Sequence, residues 1–158
     1  MSTMNKKYIE VAKLLHAIFQ QYHERMDLPF FCTYPLNCCQ GTSILLGQLI
    51  LDLHPNAKVT IVKGSSRKDD NHHYWLEVDK KIFDLTVEQF VSWMDKKYHC
   101  PSSPIYGDKK HPLAGYFFYK QRFSFDDAYQ IFITKHANEE DVVEAYGMVL
   151  LKYFELVQ

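Results

Sequence analysis

This chain lacks the features that would tie it to a charged polymer, a bilayer or an oxidising compartment. Its 18 basic and 19 acidic residues nearly cancel to a formal net charge of −1. It therefore has no excess of positive charge of the kind that nucleic-acid binding demands. The longest apolar run, residues 44–53, is interrupted by Gly47, Gln48 and Asp52, far short of a membrane span. The opening MSTMNKKYIE has no apolar signal core, so cytoplasmic residence is the expectation. Cysteine is sparse: Cys32, Cys38, Cys39 and Cys100 are too few for the disulfide frameworks of small secreted domains. An adjacent pair such as Cys38–Cys39 also rarely bridges itself, so reduced thiols are expected. There is no internal repeat and no low-complexity tract.

What is present fits one globular domain. A length of 158 residues is enough for a real core but too short for two comfortable ones. The aromatic share, 15%, is high and points to a core, and a cleft, built from rings.

Apolar residues Tyr8, Val11, Leu15, Ile18, Tyr22 and Met26 recur at three- and four-residue spacing, predicting an amphipathic helix over 6–26. Pro29 and Pro35 break the chain after it. A second helix is expected from near Cys38 to Asp52, with Asn37 as its N-cap, Gln40 completing a box-like start and Pro55 as its stop. Val59–Lys63 reads as a strand, and residues 73–78 and 81–85 as two more joined at Asp79–Lys80. Thr86 and Gln89 have capping-box spacing for a short helix through Trp93. Residues 99–112, with Pro101, Pro104, Gly107 and Pro112, read as a long loop. Two helices close the chain, over 124–134 and from Asn138 to about Leu156. The last has Val142, Tyr146, Val149, Leu150 and Tyr153 on its inward face. The charged groups Arg67-Lys68-Asp69-Asp70 and Glu139-Glu140-Asp141 read as a solvated turn and a helix start.

Three residues stand out for chemistry. A thiol is a poor nucleophile until it loses its proton, and the unpaired N–H groups of a helix's first turn favour an anion there. With Asn37 as cap, Cys39 occupies the second helical position, where those N–H groups also offer part of an oxyanion hole. Ser43 lies on the same face and is small. Cys38 is rotated by about 100° and faces elsewhere.

The hairpin supplies the partners. With Asp79–Lys80 as a two-residue turn, Trp75 falls opposite Asp84 and His73 lies diagonal to it on the same face. Tyr74, Leu76, Val78, Phe83 and Leu85 take the other face, which is apolar enough to be core. A one-residue slip would separate His73 from Asp84, and the alternation argues against it. Cys39, His73 and Asp84 thus match a thiolate–imidazolium–carboxylate triad in which the carboxylate orients the imidazole.

Residues 37–90 resemble the transglutaminase-like superfamily of the papain-like cysteine fold. Cys39 with Ser43 and the apolar positions after it is similar to the family's nucleophile helix. His73-Tyr74-Trp75-Leu76-Glu77-Val78 resembles its His-x-Trp-x-Glu-Val strand. Phe83-Asp84-Leu85-Thr86 resembles its Asp-Pro-Thr strand end, with Leu85 in place of proline. The resemblance implies an α+β fold in which the nucleophile-bearing helix packs against a small antiparallel sheet flanked by further helices. It also implies Cys39 as nucleophile, His73 as general base and acid, and Asp84 as orienting carboxylate, acting through an acyl-thioester on an amide-bearing protein or peptide. No cofactor or metal is expected. The chain is smaller than the cross-linking members and lacks a hint of their calcium loops, which favours a compact hydrolase or deamidase. Gln40 stands where the family's tryptophan follows the nucleophile, so the oxyanion donor is open. Tyr34 is one candidate for that role, with Gln40 and Trp75 also beside the expected substrate position.

Two other functions are compatible with the residues. Cys38, Cys39, His72, His73, His99 and Cys100 offer soft metal ligands, although no C-x-x-C or H-x-x-x-H spacing organises them, and strand neighbours His72 and His73 point to opposite faces. The aromatic segment 99–119, with Tyr106, Tyr116, Phe117, Phe118 and Tyr119, fits a recognition surface on a catalytically silent relative. Packing against the C-terminal helix is the simpler expectation for those rings.

Overall fold

In a computed structural model, which describes residues 3–68 and 70–158, the chain is α+β, with four α-helices and a five-stranded antiparallel sheet. Asp69, in the expected charged turn, and the first two residues of the N-terminal segment lie outside the described residues. Helix α1 (Thr3–Tyr22) is followed by an irregular stretch and α2 (Cys39–Leu53). Strands β1 (Val59–Ser65), β2 (His72–Val78), β3 (Lys81–Asp84), β4 (Ile105–Asp108) and β5 (Tyr119–Ser124) come next. Helices α3 (Phe125–Lys135) and α4 (Glu139–Val157) end the chain.

The strand order is β4-β3-β2-β1-β5. The β2–β3 hairpin has the expected register, with Leu76 opposite Phe83 and Val78 opposite Lys81. Asp79 and Lys80 both have positive φ, 49° and 69°, as a two-residue turn that matches strand twist requires. The Asp79 carboxylate braces that turn by accepting from the Lys58 N–H and the Tyr8 hydroxyl, each at 2.9 Å.

Each face of the sheet is covered by its own apolar cluster. Strand parity sends Ile61, Leu76, Val78 and Phe83 to one side, where they join Leu15, Phe19, Leu45 and Leu49 of α1 and α2, and Phe132 and Val149 of α3 and α4. It sends Val62, Trp75 and Ile82 to the other, to meet Val87, Phe90, Leu113 and Phe117 from the segments after β3 and β4. Of the aromatic segment, Phe117 and Tyr116 thus join a second core across the sheet rather than packing against the C-terminal helix as expected, while Tyr106 packs on the first core and Phe118 and Tyr119 are exposed. Gly64 sits inside this second core. A Cβ there would lie 2.7 Å from both the Trp75 ring and the Phe117 Cβ, so only glycine admits the indole.

Several local expectations are corrected by longer-range contacts. Asn37 does not cap α2: it has a left-handed φ of 59° and its N–H donates to Gln89 Oε1 at 3.1 Å. Cys38 is the N-cap, without a side-chain cap bond, so Cys39 is the first helical residue and the Asn37/Gln40 box does not form. Thr86 likewise forms no capping bond, and the expected helix after it is a 3-10 turn, Val87–Phe90. Strand β4 lies where a loop was expected and β5 precedes the helix expected over 124–134, which is α3 with Ser124 as its N-cap. Gly107, with φ of 81°, accompanies the register shift by which β4 pairs with β3.

Candidate active site

The second face of the sheet brings His73 and Asp84 together. His73 Nε2 donates to Asp84 Oδ2 at 2.6 Å, with both residues almost wholly buried. The other carboxylate oxygen, Oδ1, accepts from the Thr86 N–H at 3.0 Å and from the Thr86 hydroxyl at 3.3 Å. A carboxylate holding this many donors strongly favours its ionised form. Burial works to raise the Asp84 pKa, but the two histidines beside it outweigh that and hold it well below the usual carboxylate range. Burial likewise opposes charge on His73. The Asp84 carboxylate, followed by Cys39, prevails and pushes the His73 pKa up to about 10.

Cys39 interacts with the histidine of this pair. β3 pairs only with Leu76–Val78, so the first residues of β2 have an open edge on that side. Cys39 raises the pKa of both His73 and Tyr74, neighbours on β2. His73 Nδ1, the ring nitrogen turned away from Asp84, is buried without a fully formed hydrogen bond. Cys39 is near enough to act on that histidine by charge and by hydrogen bonding. The imidazole is held by a ring cage, with Phe90 edge-on at 4.7 Å and Phe117 at 5.5 Å between centroids. Cys39 itself is part-exposed.

The neighbouring thiol is a different object. Cys38 is buried in the first core, receives the Thr42 hydroxyl at 3.8 Å and has its pKa pushed up to about 12, chiefly by burial. Ser43 uses its hydroxyl internally, donating to the Cys39 carbonyl at 2.8 Å.

The other expected site residues are engaged in other contacts. Tyr34 donates its only proton to the Leu85 carbonyl at 2.7 Å, so it braces the loop before α2 rather than offering an oxyanion donor. Trp75 is 1% exposed and lies against a histidine ring instead of facing substrate. Gln40 lines a cavity of about 20 Å³ with Ile61, Tyr74 and Phe123, room for about one water. A cavity of about 330 Å³ is bounded by Ser66, Arg67, Tyr98 and Tyr116 and is not lined by Cys39, His73 or Asp84.

One residue of the site has no local signal in the sequence. His111, in the turn after β4, is 4% exposed, and its Nε2 donates to the same Asp84 Oδ2 at 2.7 Å. Its Nδ1 accepts from the Leu113 N–H at 3.0 Å, which fixes the proton on Nε2. Burial first, and then His73 and Lys120, lower the His111 pKa despite the pull of Asp84. The histidine sits in a proline-rich stretch, and only the pairing of β4 with β3 carries it back to the hairpin.

Among the described residues the one cluster with metal-ligand chemistry is His73, Asp84 and His111, not the cysteine–histidine set considered above. Its geometry is that of hydrogen bonds. Both Nε2 atoms approach one oxygen at 2.6–2.7 Å, closer than two ligands of a shared tetrahedral ion, which lie about 3.3 Å apart for bonds near 2 Å. A metal on His111 Nε2 would also move its proton to Nδ1, against the Leu113 N–H.

Comparison with known proteins finds no matching family model, no matching curated protein and no matching solved structure. Among the described residues no helix is long and apolar enough to cross a membrane.

Proposed function

We propose that the chain is a cysteine-dependent acyl-transfer enzyme with a transglutaminase-like, papain-like arrangement, acting on an amide of a protein or peptide. The observation that carries this is the polarity of His73. Its Nε2 is committed to a buried carboxylate and its Nδ1 has no other partner, while the part-exposed Cys39 thiol interacts with the same ring.

In this mechanism the Cys39 proton resides on His73 Nδ1 and the sulfur attacks the amide carbonyl. The N–H groups of the first turn of α2, which have no helical carbonyl to bind, face the developing oxyanion. Collapse of the tetrahedral intermediate breaks the C–N bond. The amine or ammonia leaves with the Nδ1 proton, and a thioester remains on Cys39. Water, or an acceptor amine, then gives its proton to His73 as it attacks, and Cys39 leaves. Asp84 keeps the imidazole oriented and stabilises its cation throughout, without taking its proton.

The test is turnover of a peptide library by the intact chain, scored for cleavage and for ammonia release, against Cys39→Ala and Cys38→Ala. Activity abolished by the first and retained by the second supports the proposal. Activity that survives Cys39→Ala but is lost with Cys38→Ala contradicts it. Absence of any covalent chemistry in the unaltered chain would leave the fold as a binding module.

A further inference from the structure

Asp84 serves two histidines through one oxygen, yet a triad needs only one. His73 Nε2 and His111 Nε2 meet Oδ2 at 2.6 and 2.7 Å, with their rings 5.9 Å apart and inclined by 73°. Their other nitrogens differ. His73 Nδ1 has no fully formed hydrogen bond, whereas His111 Nδ1 is occupied by the Leu113 N–H. A second proton can therefore reside on His73 but not on His111 without displacing a backbone donor.

The plane of His111 is also fixed. The Trp75 indole lies over it at 4.3 Å and 35°, and Trp75 in turn fills the space left by the missing Cβ of Gly64. A neutral imidazole that cannot rotate and cannot change tautomer is a rigid single donor.

We propose that His111 is a positioning residue and the fourth member of the site, a permanently neutral donor that aims Asp84 Oδ2 at His73 and keeps the carboxylate from accepting His73's proton. This rests on the acyl-transfer function proposed above. With Thr86 holding Oδ1 and His111 holding one lone pair of Oδ2, the remaining acceptor capacity is directed at His73 Nε2. The carboxylate's basicity is divided among donors that never leave. Asp84 then stays ionised while His73 cycles between its two protonation states. Without His111, Oδ2 is free to swing and the His73 ring loses the fixed partner that sets its orientation toward Cys39.

Two measurements test this on the whole chain. The first is ¹⁵N NMR of the histidine rings from pH 5 to 8 in the unaltered protein. His111 is expected as the neutral Nε2–H tautomer throughout, and a protonated or Nδ1–H His111 near neutral pH overturns the proposal whatever the variants do. The second is the pH profile of Cys39 alkylation by iodoacetamide in His111→Ala and His111→Gln. The alanine variant is expected to react about ten- to a hundredfold more slowly at pH 6, the size of one charge-assisted hydrogen bond, with a shifted profile. The glutamine variant, which restores a donor, is expected to recover part of the rate. Profiles in both variants that superimpose on that of the unaltered chain overturn the fourth-member role alone. A Cys39 that reacts no faster than a free thiol in the unaltered chain overturns the acyl-transfer function and this proposal with it.

Discussion

His73 and His111 donate to the same atom, Asp84 Oδ2, but the surroundings push their pKa values in opposite directions: His73 up to about 10, His111 below its ordinary value. The Asp84 carboxylate favours the cation at His73, whereas burial and the Leu113 N–H on Nδ1 favour the neutral ring at His111. This division has consequences for stability and for reactivity.

The pH dependence of stability follows from the signs. His73 is raised in the folded chain, so its contribution is complete below its ordinary value of 6.5 and is lost as pH climbs from there through about 10. Asp84 is lowered, so its contribution is complete above its ordinary value of 3.8 and is lost as pH falls through its folded pKa. His111 is also lowered, so its contribution is complete above 6.5 and declines as pH falls below that. Denaturant melts across pH should therefore show greatest stability near neutrality, with losses on both sides. In Asp84→Asn the decline between about 6.5 and 10 should flatten. An unchanged slope there would contradict the pairing.

Asp84→Asn should itself be severe. It replaces a carboxylate that receives His73, His111 and Thr86 with a side chain that has one accepting oxygen and an NH2 group that cannot accept, leaving a buried imidazole without its counter-charge. The expected cost is about 3 kcal/mol or more, read from equilibrium unfolding.

Gly64→Ala tests the far end of the same stack. The added methyl would meet Trp75 ring carbons and the Phe117 Cβ at 2.7 Å, contacts that no flexible side-chain end can relieve. A loss of about 1–3 kcal/mol is expected. Slower Cys39 alkylation should accompany it, because the displaced indole carries His111 with it. A folded variant with unchanged reactivity would uncouple Trp75 from the site.

Tyr34→Phe separates bracing from catalysis. Removing the hydroxyl deletes one bond to the Leu85 carbonyl, for about 1 kcal/mol of stability. The rate of the chemical step at saturating substrate should fall little. A drop of about a hundredfold or more, the scale of a lost oxyanion donor, would show that Tyr34 acts on the reacting carbonyl.

The His73–Asp84 pairing was legible because its determinants are local. A two-residue turn and strict alternation set the β2–β3 register, and that parity selects His73 over His72 without any long-range information. The choice of Cys39 over Cys38 rested on helix phase. In the structure Cys38 is buried and Cys39 part-exposed, although the expected cap does not form: Asn37 takes a left-handed turn and bonds to Gln89, 52 residues away, which no local propensity encodes. β5 escaped detection because, as an edge strand with mostly exposed side chains, Tyr119–Ser124 has no apolar alternation to read. β4 is short and embedded among prolines and a glycine. Without these two strands the second core was invisible, and so was His111, whose role depends on where β4 pairs.

The most direct measurement is the rate of iodoacetamide labelling of the intact chain at pH 6, with the labelled cysteine identified by mass spectrometry, in the unaltered protein and in Asp84→Asn. A free thiol at that pH is roughly 0.3% ionised and reacts slowly. The account predicts fast labelling confined to Cys39, with Cys38 untouched, and a drop of at least about tenfold in the folded Asp84→Asn variant. Labelling of Cys39 at the rate of a free thiol, or a rate indifferent to Asp84, would contradict it.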